Sequence, residues 1–178
     1  MLNLTHVKQP VVAAAALFAT ITLPVQADSP TASQPETNGT SEPESYRVPN
    51  EHVAMREAVR KARTTVQKFI DALKHPASGE TDFEVKKPFV QKNEIEHIWL
   101  SDVKLVGGRF QGKVDNVPEK INGLKLGQVV SVNSDEISDW VYINNGKLVG
   151  GYTIRAHYKE LTPEQKKAFD RFGDFRLE

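Results

Sequence analysis

The 178-residue chain has no cysteine. That absence excludes disulfides, a thiol nucleophile and thiolate-held metal, and it removes the attachment point for a lipoprotein-type lipid. The chain must therefore be stabilised by a hydrophobic core of its own, and about 150 residues are enough to build one. Net charge is also absent, with 23 basic and 23 acidic side chains, so bulk electrostatics name no partner. Long apolar runs are missing as well. The most apolar stretch, Val11 to Leu23, falls well short of the about 20 residues a membrane-spanning helix needs. No serine stands in a Gly-x-Ser-x-Gly elbow, and no Lys-Ser or Lys-Thr follows the paired glycines to make a phosphate loop. The four histidines after residue 27 (His52, His75, His97 and His157) have no ligand spacing to one another. No metal and no cofactor is expected.

What is present begins with an address. Lys8 is the only charged side chain among the first 27 residues. The apolar run ends at Pro24, and Val25-Gln26-Ala27 offers small residues at the two positions a signal peptidase reads. This pattern predicts a signal peptide over 1–27, a chain continuing from Asp28, and a periplasmic or secreted location. An uncleaved anchor is the rival reading. Removing Lys8 moves the net charge from 0 to −1. Residues 28–48 are rich in Ser, Thr, Pro, Glu and Asn and lack the apolar surface that would offset ordering entropy, so a disordered leader is expected there.

Residues 49–178 read as a single α+β domain. Met55, Val59, Ala62, Val66, Phe69 and Leu73 recur at steps of four and three, which predicts one long helix from Asn50 to Lys74 stopped by Pro76. Its outer face carries Arg56, Arg60, Lys61, Arg63 and Lys68, read as solvated surface. From Asp82 the period becomes two. Strands are expected over Phe83–Phe89, with Pro88 marking an edge or bend, and over Ile95–Val106, Phe110–Val114, Gln128–Val132, Ile137–Ile143 and Lys147–Val149. Gly107-Gly108 and Asn144-Asn145-Gly146 supply hairpin turns. Thr162, Pro163 and Gln165 form the start of a short C-terminal helix, and the second half of Tyr152–Leu161 is read as helical. Helices before and after a run of hairpin-linked strands predict an antiparallel sheet of five or six strands packed by the long N-terminal helix.

The segments Phe83-Glu84-Val85-Lys86, Glu96-His97-Ile98-Trp99-Leu100, Phe110-Gln111-Gly112, Asn116-Val117-Pro118, Leu126-Gly127-Gln128, Ile137 to Tyr142 and Gly150 to Arg155 are similar, in order and spacing, to the YegJ-like bacterial family, domain of unknown function 2314. The resemblance spans Phe83 to Phe169. It implies one α+β domain and marks a signature without assigning roles to its residues.

Several signature residues carry chemistry. Glu96 and His97 are adjacent in a strand, so they point to opposite faces and cannot act on each other. Three readings stand for Glu96, His97, Trp99, Asp139, Tyr142, Tyr152 and Arg155. They form an internal network, with a buried Glu paired to Arg155 or accepting the Trp140 indole hydrogen. Alternatively Glu96, Trp99, Asp139, Tyr142, Tyr152 and Arg155 line a binding site for a protein, peptide or envelope component. In the third reading His97 is the general base of a small hydrolase, with Asp139 or Glu96. The lack of a nucleophile motif and of metal ligands favours a non-enzymatic binding or interaction module. An exported domain is not expected to meet nucleic acid.

Overall fold

The computed structural model describes residues 50–173 and 175–177. The expected signal segment and leader, 1–48, lie outside the described residues. Helix α1 spans Asn50–Thr64 and α2 spans Val66–Lys74. Six strands follow: β1 Glu80–Gln91, β2 Glu94–Val106, β3 Arg109–Val114, β4 Val129–Val132, β5 Asp139–Asn144 and β6 Lys147–Gly150. Helices α3 (Tyr152–Glu160) and α4 (Pro163–Phe172) close the described domain. All strand pairs are antiparallel, in the order β4-β3-β2-β1-β5-β6. The architecture is α+β.

One expectation is corrected. The N-terminal helical stretch is not one long helix but two short ones, broken at Thr65. The apolar spacing carries straight through the break, so the reason lies in the side chains. Thr64 and Thr65 both turn their hydroxyls back onto the Lys61 carbonyl, at 3.1 and 2.7 Å, and offer the backbone an alternative to the helical ladder. The Lys68 amide then bonds Thr65 O, three residues back. The break still leaves Ala62 and Phe69 facing the same core.

Alternation along β2 divides the core. Ile98 and Leu100 face α1 and α2 in a cluster with Val85, Phe110, Val114, Val132, Trp140 and Tyr142. Trp99 points the other way, into a second cluster with Val141, Ile143, Leu148, Ile154, Leu161 and Phe169. Each sheet face thus has its own helical cover. Pro88 is tolerated inside the sheet for a simple reason. It pairs with His97 on β2, while pairing to β5 ends at Lys86–Asp139, so the missing N–H would have met no acceptor on that side.

The segment from Tyr152 is helical throughout, not only in its second half. Gly150 and Gly151 both take positive φ, 78° and 63°, to turn the chain from β6 into α3. At Gly150 a β-carbon would overlap the Trp140 carbonyl oxygen and stand 2.5 Å from Trp140 Cε3. The capping box at Thr162 and Gln165 forms as the sequence predicts, at 3.3 and 2.8 Å.

Candidate functional site

Asp139 organises the signature. Its side chain is fully buried at the start of β5. One carboxylate oxygen accepts from the amides of Trp140 (2.9 Å) and Tyr152 (3.1 Å). The other accepts from the Thr153 amide (2.8 Å) and the Thr153 hydroxyl (2.6 Å). Asp139 therefore caps α3 from a distant strand, supplying acceptors and negative charge at the positive end of the helix. Burial pushes its carboxyl above the ordinary range, opposed by the hydrogen bonds from Thr153 and Trp140 and by the Lys86 charge.

The other signature residues are distributed as follows. Glu96 is half-buried and clamps the loop after β3, accepting from the Glu119 amide (3.0 Å) and the Lys120 amide (2.9 Å). Arg155 donates to the carbonyls of Gly150 (2.9 Å) and Leu148 (2.6 Å), tying α3 to β6. The expected Glu96–Arg155 pairing is thus replaced by separate backbone clamps. Tyr142 is buried, stacked on Phe83 at 5.1 Å and lying beside Trp140. The Trp140 indole donates to Ala62 O at 2.9 Å, so no carboxylate receives it. Tyr152 is half-buried under Lys61, and its hydroxyl is hydrogen-bonded to the Thr65 hydroxyl at 3.0 Å. Trp99 is 4% exposed.

A second group lies at the rim, around Ser138. The His97 residue is exposed, with Nδ1 hydrogen-bonded to Ser138 Oγ at 2.8 Å. Ser138 is 1% exposed, and its amide bonds the Lys86 carbonyl at 2.7 Å. Arg63, an exposed residue, reaches from α1 to donate through Nε to Ile137 O at 2.8 Å. Lys86, opposite Asp139 and Trp99, stacks its ammonium on the Trp99 ring at 5.4 Å. The residue keeps some exposed surface, but the charge itself lies in a desolvated place. That desolvation pulls the ammonium down from its ordinary value, opposed by Asp139. The His97 ring is likewise held down, first by burial of its inner edge and then by the charges of Lys86 and Arg63.

Three elements therefore bring a guanidinium and an ammonium close enough for both charges to act on the His97 imidazole. Among the described residues none of the three has a carboxylate within ion-pair distance. The arrangement suits capture of an anionic group. It does not place His97 in hydrogen-bond contact with Asp139 or Glu96. Sequence reasoning singled out His97 and Asp139 but passed over Lys86, Ser138, Arg63 and Thr153. Alternation alone puts Lys86 and Trp99 each on the side away from Val85 and Ile98. The strand register that brings the two together is not readable without the fold.

The architecture defines the class: an α+β sheet domain with helices on both faces and a strand carboxylate capping the third helix. The chain belongs to the family described as "Uncharacterized protein conserved in bacteria (DUF2314)", whose profile matches residues 52–175. It is 37% identical over 101 residues to the uncharacterized protein YegJ of Escherichia coli (strain K12), covering 57% of this chain and 65% of that one. It is 35% identical over 99 residues to a putative ankyrin repeat protein of Neisseria meningitidis serogroup B, covering 51% of this chain and 39% of the relative. In both cases the match covers less than two thirds of the relative's length. No solved structure matches.

Proposed function

We propose that this is an exported, non-enzymatic binding module of the bacterial cell envelope, and that it captures an anionic group of a protein, peptide or envelope polymer at Arg63, Lys86 and His97. The observation that carries the reading is that the Arg63 and Lys86 charges both act on the His97 ring, and that none of the three has a carboxylate within ion-pair distance among the described residues. Export rests on the sequence pattern of residues 1–27, and residues 28–48 would serve as the spacer. Recurrence of the domain within 39% of a relative named as a putative ankyrin repeat protein fits a portable interaction module.

The hydrolase alternative lacks a matching geometry. Asp139 already accepts four hydrogen bonds, Glu96 is committed to a loop, and the hydroxyl beside His97 belongs to buried Ser138. The test is binding of a short acidic peptide, such as an acetylated tetraglutamate, followed by calorimetry at low ionic strength. Wild type should bind and Arg63→Ala with His97→Gln should not, while the variant's far-ultraviolet dichroism and cooperative melt show that it is still folded. Equal binding by both proteins would refute the site.

A further inference from the structure

The two edges of the sheet are treated differently. At β6 the C-terminal segment covers the edge: Lys147 forms a parallel bridge with Arg176, the Leu148 amide donates to Arg176 O, and the Arg176 amide donates to Gly146 O. At the other end β4 is the last strand, paired only with β3 among the described residues. Exposed edges are usually protected by charge, proline or a bulge. The nine residues Leu126 to Ser134 contain no charge and no proline.

The direction of the free groups follows from the ladder. The Val114 amide donates to Gln128 O at 2.9 Å, so Gln128 faces β3 with its hydrogen-bonding groups. Alternation gives Val130 and Val132 the same role in their pairs with Gly112 and Phe110. Val129 and Ser131 are thus left with N–H and C=O directed outward. Val129 is 60% exposed and borders a groove of about 530 Å³ lined also by Asp102, Val103, Gln111 and Lys113.

Such an edge can accept any extended strand, but symmetry and charge select one occupant. In an antiparallel pair about a two-fold axis normal to the sheet, a residue must face its own copy, because opposed side chains share a face. With Val130 on the axis, Val129 opposes the partner's Ser131, and the outward groups of each bond the other. The basic turn holding Lys125, before β4, then lies beside the acidic turn holding the partner's Asp135, after β4, and this happens twice. Lys125 and Asp135 are both exposed, and neither has an ion-pair partner among the described residues.

We propose that a second copy of this chain pairs antiparallel along β4, joining two six-stranded sheets through Val129–Val132 with Lys125 and Asp135 flanking the seam. The experiment is sedimentation equilibrium of the full chain over a concentration series. Wild type should show a monomer–dimer equilibrium. Ser131→Pro removes an outward N–H, so it should leave the far-ultraviolet dichroism intact and give a monomer. Lys125→Asp should weaken dimerisation roughly threefold to tenfold at low salt, and Lys125→Asp with Asp135→Lys should restore it. A wild type that stays monomeric at every concentration overturns the proposal. So does a folded Ser131→Pro that still dimerises, or a charge-swapped double variant no better than the single one.

Discussion

Replacing Asp139 by Ala strips acceptors from three amides and one hydroxyl in the interior, those of Trp140, Tyr152 and Thr153. Hydrogen bonds to a charged group contribute about 1.5–3 kcal/mol each, and they do not add when they share one carboxylate. Loss of a helix cap costs about 0.5–2 kcal/mol. Against these stands one gain, since the desolvation that pushes the Asp139 carboxyl upward is relieved. The net loss for Asp139→Ala should be about 3–5 kcal/mol, a large share of the roughly 5–15 kcal/mol that holds a domain of this size. A thermal melt should fall by about 10–20 °C. Asp139→Asn keeps one acceptor but turns a donor toward the Thr153 amide, so it should lose about 1.5–3 kcal/mol. Thr153→Val isolates the hydroxyl contribution, at about 1 kcal/mol. If Asp139→Ala melted within about 2 °C of wild type, the reasoning that makes this carboxylate the organiser of α3 would be wrong.

Four further outcomes are expected. Gly150→Ala should destabilise by at least about 3 kcal/mol in a denaturant titration, because the overlap with Trp140 adds to the left-handed backbone cost. Arg155→Ala should lower the melting temperature by several degrees, since the carbonyls of Gly150 and Leu148 lose their donor. Glu96→Gln should speed hydrogen exchange at the amides of Glu119 and Lys120 while leaving the core amides protected. His97 has a folded-state pKa below its unfolded value. Between the two the unfolded chain binds more protons, so stability rises with pH there and is lost as pH falls below about 6.5. His97→Gln should flatten that part of the stability profile.

The fold was legible where local patterns decide it. Alternation along Glu96–Leu100 placed His97 and Trp99 on one face and Ile98 and Leu100 on the other, as found. The turn chemistry of Asn144-Asn145-Gly146 and the capping box at Thr162 also formed as read. The helix break at Thr65 escaped, because apolar periodicity is blind to hydroxyls competing for the backbone. The site was legible only in its ingredients. That Asp139 caps a helix starting 13 residues later, or that Lys86 lies on Trp99, depends on strand register, which alternation does not specify. Arg63 looked like one cation of a solvated helix face, and only its approach to Ile137 O distinguishes it.

The most direct test of the account is a nuclear magnetic resonance titration of the His97 imidazole with acetylated tetraglutamate near pH 6. A captured carboxylate must favour the protonated ring, which Lys86 and Arg63 otherwise disfavour. The account predicts saturable shifts at His97 and at the Ser138 amide, with a rise in the His97 pKa that Arg63→Ala abolishes. A ring whose resonances and titration curve do not change with ligand would contradict it.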